Sequence, residues 1–385
     1  MGAPATPSQS PPALALVLGG GGARAAYEVG VLSAITERFP ALEVPILTGV
    51  SAGAINATYL ATHPGPLPAA VAALRGQWRE LVVDRVYRMR PTSLGRSVSI
   101  AAMRTLVGGR PGPGVLRGVV DLEPLREFLS ARLDFARVDA NIAAGRLRAL
   151  ALSATSYGTG DAVTFVQARP DIPMWQRSQR HGVRTTLSLD HLMASCALPI
   201  LFPAVRIGDA FYGDGSVRHV APLAPAIHLG ARAILAITQH SGPRGAAAAS
   251  PRDYPTLAEV AALLLHSIFL DALEADVERL QRINRLVELL KSQGAPNSDG
   301  LRPIRLLLLR PSRHLAELAR GHERALSTSV RAVVRLMGGD WTTAADFVSY
   351  LLFDPAYTTA LIDLGYSDAV ARWDTIERFF AELHD

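Results

Sequence analysis

Only one cysteine, Cys196, occurs among the 385 residues, so no internal disulfide is available and nothing calls for an oxidising compartment. The expected location is cytoplasmic, with a position peripheral to a membrane left open. Lysine is as scarce: every basic residue but Lys291 is arginine. The net charge of +5 therefore reads as an arginine-biased composition rather than a nucleic-acid footprint, and no nucleic-acid partner is expected. Long apolar runs are missing too. No window reaches the ~18 to 20 residues of a membrane-spanning helix; the nearest, "VAALLLHSIFL" from Val260 to Leu270, carries His266 inside it. The stretch "MGAPATPSQSPP" lacks the basic start of a signal peptide and reads as a flexible leader, residues 1–12. Gly2 and Thr6 meet only the bare myristoylation pattern.

What is present is apolar. At 49% hydrophobic, the chain can bury one large core or two modest ones. Short apolar runs alternate with helical patterns: "ALALVL", a helix from about Ala23, "VPILTGV", then a helix from about Ala52. That order predicts an α/β fold with a mostly parallel sheet and helices on both faces. Further strands are expected at Arg148 to Thr155, Ala162 to Gln167, Ala204 to Gly208, Ala231 to Thr238 and Ile304 to Pro311. Loops are expected at 107–114, 241–255 and 291–303, where Gly, Pro and Ser collect. From Asp271 to Leu290 a helix is predicted with Leu273, Val277, Leu280, Ile283 and Leu286 on one face, suited to packing on its own domain or to a homo-oligomer contact.

The glycine run Gly19 to Gly22 after the first strand satisfies G-x-G-x-x-A with Gly20, Gly22 and Ala25. A dinucleotide site would also need an acid at the end of the second strand to hold the ribose, and none stands there, so no cofactor is expected. The second strand instead runs into Gly49-Val50-Ser51-Ala52-Gly53, a G-x-S-x-G between strand and helix. Such a turn needs small residues around the serine, hence Gly49 and Gly53, and lifts the Ser51 hydroxyl above the sheet. If Ser51 attacks an ester, the developing oxyanion needs backbone donors, and Gly20, Gly21 and Gly22 can approach because no Cβ intervenes. Asp214 followed by His219, His228 or His240 has the chain order of a Ser-Asp-His hydrolase. Against that stand the early elbow, after only two strands, and the ordinary settings of all ten histidines.

Three segments together resemble the patatin-like phospholipases, lipid acyl hydrolases with a Ser-Asp dyad. "GGGGARAAYEVGVL" is similar to the family's G-G-G-x-R/K-G loop, "GVSAGAINA" to its serine elbow, and "ASCALPILFPAVRIGDAFYGDGSV" to its helix, Pro turn and hairpin ending in Asp-Gly. The resemblance implies a three-layer α/β/α fold with additional C-terminal helices. It implies Ser51 as nucleophile, Asp214 as base, Gly20, Gly21 and Gly22 as oxyanion hole, and Arg24 and Gly215 as supporting residues. The substrate it implies is a phospholipid or other acyl-ester lipid, with no metal and no cofactor. Ala25 stands where the family's loop ends in glycine, and Ser216 where D-G-G or D-G-A has Gly or Ala. These departures leave open a catalytically inactive lipid-binding relative, beside the His-assisted esterase.

The expected organisation is a catalytic domain at 13–240 and a helical C-terminal region at 256–385 that completes it or packs on it. Within the first lies Arg85 to Gly118, with seven arginines, no acid and interleaved apolar residues. It reads either as a membrane-facing cap or as an ordinary insertion whose arginines pair within the fold. Cys196 is expected in the core, on a helix capped by Asp190. His314, Glu317 and His322 lack metal-ligand spacing.

Overall fold

The computed structural model describes residues 13–89, 120–241, 256–268, 272–296, 301–326, 328–336 and 344–383. The leader at 1–12, the loop at 107–114, most of the Arg85 to Gly118 segment and most of the loop at 241–255 lie outside the described residues.

Ten strands form the central sheet: β1 (Leu14–Leu18), β2 (Ile46–Val50), β3 (Ala149–Ser156), β4 (Ala162–Ala168), β5 (Gln176–Arg177), β6 (Arg180–Arg184), β7 (Val205–Ile207), β8 (Ala210–Asp214), β9 (Ala233–Ile237) and β10 (Arg305–Leu309). Their order is β10-β9-β1-β2-β3-β4-β6-β5, and β10 through β3 run parallel. β4 is antiparallel to β3, and β8 pairs antiparallel with both β3 and β7. The architecture is a mixed α/β fold, a mostly parallel sheet flanked by helices. β5 and β6 had no counterpart among the expected strands; apart from Gly182 and Val183 their residues are polar, and all are half-buried or exposed, so they carry no apolar run.

Because side chains alternate across a strand, β1 feeds two cores. Leu14, Leu16 and Leu18 face the layer of α1 (Ala26–Arg38), α2 (Ala52–Thr62) and α3 (Leu67–Glu80). Ala15 and Val17 face the opposite layer, with the helix Ala224–His228 and α6 (Ala272–Ser292). The chain between them supplies α4 (Leu189–Cys196) and α5 (Leu257–His266), and the C-terminal region supplies α7 (Ala345–Leu351) and α8 (Pro355–Val370). That region does not stand apart: β10 extends the same sheet, and α8 packs along α1.

Three details differ from the sequence-based expectations. The helix expected from Ala23 opens with a 3-10 turn, Gly22–Ala25, before α1 begins at Ala26. α4 is capped by Ser188, not Asp190; Ser188 and His191 close a capping box, while Asp190 pairs with Arg126 at 2.7 Å. In α6 the buried stripe runs through Leu273, Val277 and Leu280 to Val287, seven residues after Leu280 and so on the same face, which leaves Leu286 exposed.

The α1–α8 crossing depends on two glycines. A Cβ on Gly30 would lie 1.9 Å from the Ile362 carbonyl oxygen, and one on Gly365 would lie 2.2 Å from that of Tyr27. Backbone fills the space, so neither helix can yield without separating. Gly365→Val should destabilise the protein by about 2 kcal/mol or more in urea unfolding; an unchanged midpoint would refute the close-contact account.

Candidate active site

β3 is the platform of the site. β2 pairs along it up to Val50 opposite Ser153, and β8 arrives from the other direction, ending with Asp214 opposite Ala154. Two chain ends thus meet on one edge of β3, which sets Ser51 beside Asp214. β1 ends next to β2, with Leu18 opposite Gly49, so its glycine loop lies against the same point.

These approaches are close enough to exclude side chains. A Cβ on Gly53 would lie 2.4 Å from the Gly19 carbonyl oxygen, on Gly49 2.5 Å from that of Gly53, and on Gly215 2.2 Å from that of Ser153. Gly22 has a φ of 55°, and its Cβ would lie 2.1 Å from the Tyr350 carbonyl oxygen.

Ser51 has φ 53° and ψ −128°, a conformation that non-glycine residues rarely adopt. It persists because its surroundings hold it on both sides. Its N–H donates to Ser195 Oγ at 3.0 Å, that hydroxyl donates to the Ser153 carbonyl at 2.6 Å, and Cys196 Sγ donates to the Ser51 carbonyl at 3.3 Å. One residue further on, the Ala197 carbonyl accepts the Asp214 N–H at 2.8 Å. The C-terminal end of α4 therefore grips both residues. Cys196 is buried, and burial pushes its thiol up.

Asp214 is fully buried. Its Oδ1 accepts the Ser216 N–H at 2.9 Å, while Oδ2 has no partner in full hydrogen-bond geometry. Burial pushes the carboxyl up to about 6; the nearby Ser51 hydroxyl and the Ser216 N–H and hydroxyl oppose this by favouring the charged form. Neither departure in the motifs blocks the site. Ala25 is helical and buried in the 3-10 turn, and Ser216 adds a hydroxyl beside the carboxylate.

Arg24 is 4% exposed and points to α7. Its Nε donates to Ser349 Oγ at 2.8 Å, Nη2 pairs with Asp346 at 2.9 Å, and the guanidinium lies 3.9 Å over the Tyr350 ring. It ties the glycine loop to the C-terminal region. Among the described residues the N–H groups of Gly20, Gly21 and Gly22 have no protein acceptor, whereas Gly19 donates to Glu28 Oε1 at 2.9 Å.

Glu28 was passed over in the sequence. Fully buried, it also accepts from Gln239 Nε2 at 2.6 Å and from Asn56 Nδ2 at 2.8 Å, and Asn56 accepts from Trp78 Nε1 at 2.8 Å. Burial pushes its carboxyl up to about 8, against the pull of these three donors. A lone acid inside the apolar stretch "ARAAYEVGVL" was the available signal. Ser195, which braces Ser51, carried no comparable signal.

No described histidine bonds Ser51 or Asp214. His191 belongs to the α4 cap, His228 stacks on Trp175, His314 bonds Ser241, and His322 pairs with Asp354. His219 is half-buried, and its imidazole is pushed down to about 4 by burial.

From Ser51 an apolar cleft opens, lined among others by Ile55, Leu125, Leu198, Phe202 and Leu265. It shares Ala52, Ile55, Val86, Leu125 and Phe353 with a second apolar chamber that continues past Trp78 to Phe128, where Arg132 lies 3.8 Å over the ring.

The raised Asp214 carboxyl predicts a pH dependence of stability. The contribution of its protonated form is fully present below about 4 and is lost as pH rises through about 6. Asp214→Asn, which cannot ionise, should gain about 2 to 3 kcal/mol over the native chain at pH 8 and little at pH 4. Urea unfolding at both pH values tests this, and equal stabilities at pH 8 would contradict it.

Solved structures with similarity to this chain include VipD from Legionella pneumophila, human GIVD cytosolic phospholipase A2 with a fluorophosphonate inhibitor, and the ExoU-SpcU complex of Pseudomonas aeruginosa. VipD is 13% identical with a TM-score of 0.36, covering 95% of this chain and 67% of its own. For the human enzyme the values are 13%, 0.43, 97% and 59%, so this chain spans little more than half of that protein. For ExoU-SpcU they are 20%, 0.20, 41% and 33%. No protein of curated function matches the sequence. The patatin-like phospholipase family model, however, matches residues 16–227, more than half of the chain, from β1 through the Asp214 turn, and the chain belongs to that family.

Proposed function

We propose that this protein hydrolyses acyl esters of lipids through a Ser51-Asp214 dyad. The observation that carries this reading is the meeting of a strained serine that lines the apolar cleft with a buried aspartate on one edge of β3, with no described histidine bonded to either. Family membership already implies a lipid hydrolase; the dyad and its chemistry are the proposal.

In the first step the Ser51 hydroxyl attacks the ester carbonyl and Asp214 takes its proton. The N–H groups of Gly20, Gly21 and Gly22 receive the negative charge on the carbonyl oxygen, a role in which one donor is typically worth about 10²- to 10³-fold in rate. The intermediate collapses, the alcohol leaves with the proton from Asp214, and the acyl group stays on Ser51. Water then attacks the acyl-enzyme with Asp214 again as base, the ester bond to Ser51 breaks as Asp214 returns that proton to the serine oxygen, and the fatty acid is released. A carboxyl pushed up to about 6 is mostly ionised at neutral pH yet a stronger base than an exposed aspartate, which suits both steps. The apolar cleft and the chamber beyond it match an acyl chain, and the chamber favours long chains over short ones.

A fluorophosphonate serine probe and hydrolysis of mixed phospholipid vesicles test this. Ser51→Ala should abolish labelling, and Ser51→Ala and Asp214→Asn should each lower hydrolysis by about 10³-fold or more. With native protein, kcat/KM should rise with pH through about 6 and level off above it, because only the ionised Asp214 accepts the proton. Retained activity in Asp214→Asn would sink the dyad, and a folded native chain that neither labels nor turns over would favour a lipid-binding role instead. Ile55→Phe, placed where the two apolar spaces join, should lower turnover of p-nitrophenyl palmitate far more than of the butyrate ester; equal losses would remove the acyl-chain assignment.

A further inference from the structure

α5 is apolar on more of its circumference than its packing uses. Ala262 and Leu265 are buried, the latter lining the Ser51 cleft, and the helix packs against α7. On the other side Leu257, Val260, Leu263 and Leu264 are 67%, 40%, 66% and 58% exposed. At 3.6 residues per turn these four fall within an arc of about 120°. The arc carries no charge. The acid of this helix, Glu259, is bound to Thr256 in a capping box, and His266 meets the His240 ring.

A second anomaly borders the same cleft. Ile200 sits in the turn between Leu198 and Phe202, both of which line the cleft. It is 84% exposed and has a φ of 71°, a conformation unfavourable for a β-branched residue. Neither packing nor backbone preference accounts for an isoleucine there.

We infer that α5 and the Ile200 turn form a membrane-docking rim, which inserts into the surface of a phospholipid layer and holds the mouth of the Ser51 cleft against it. Exposed apolar patches of this kind mark a binding surface. No charged residue lies within this arc, and only Thr256 and Ser267, at the two ends of the helix, place hydroxyls along it. Its continuity with an apolar cleft that ends at a candidate acyl-transfer serine favours a lipid layer, through which an acyl chain could enter without crossing water. The choice of lipid as occupant rests on the acyl-hydrolase reading; the existence of the exposed rim does not.

The test is flotation with phosphatidylcholine vesicles, with and without phosphatidylglycerol, using the full chain carrying Ser51→Ala so that the vesicles are not consumed. Leu257→Ser with Leu263→Ser and Leu264→Ser, and separately Ile200→Ser, should each lower partitioning, the triple substitution by about tenfold or more. In the Ser51 background the same substitutions should leave hydrolysis of monomeric p-nitrophenyl butyrate and the thermal midpoint unchanged, because none of these side chains lines the cleft. Partitioning equal to that of the unsubstituted chain would overturn the proposal. So would a dimer in sedimentation velocity that the triple substitution dissolves, which would give the face to a second copy. If partitioning falls while the unsubstituted chain shows no turnover on any ester, the docking rim stands and the acyl-hydrolase reading falls.

Discussion

Everything at the centre of this protein depends on how closely three backbone turns approach one another at the end of β3. The loop after β1, the elbow after β2 and the turn after β8 meet with carbonyl oxygens where side chains would otherwise begin, and Gly49, Gly53 and Gly215 are the consequence. Parallel pairing alone would bring the first two together. The antiparallel approach of β8 to the free edge of β3, beyond the last residue of β2, brings in the third.

Two buried carboxyls then divide the work around the loop. Glu28 is surrounded by N–H donors from Gly19, Asn56 and Gln239 and serves as a hub that fixes the loop to α2 and to the end of β9. Asp214 has fewer partners, and one oxygen is left without a formed bond. An incompletely satisfied buried carboxylate costs stability, and such a cost is typical of sites held ready for chemistry. Under the proposed dyad, the contrast separates a group that only positions its neighbours from one that accepts a proton.

The C-terminal region enters the same constraint from the far side. Arg24 connects the 3-10 turn to α7, α8 lies against α1 through Gly30 and Gly365, and Tyr27 donates to Asp368 at 3.1 Å. The glycine loop is thus held between the sheet and helices more than 300 residues away in sequence. Its geometry is a property of the whole fold.

The sequence by itself determined the alternation of strands and helices, since β1, β2, β3, β4, β9 and β10 are mostly apolar runs suited to a sheet covered on both faces, and it set Ser51 in a small-residue turn between β2 and α2. It also carried the family resemblance in three short segments. Tertiary structure decided what pattern cannot encode. Polar β5 and β6 join the sheet only because β4 offers an edge. Ser195, Glu28 and Arg24 take their roles from partners distant in the chain, and the carboxyl of Asp214 is raised by burial that composition does not reveal. Local periodicity reports which face of an element is apolar; which two chain ends meet on β3, and how much water they exclude, is fixed only when the sheet closes around them.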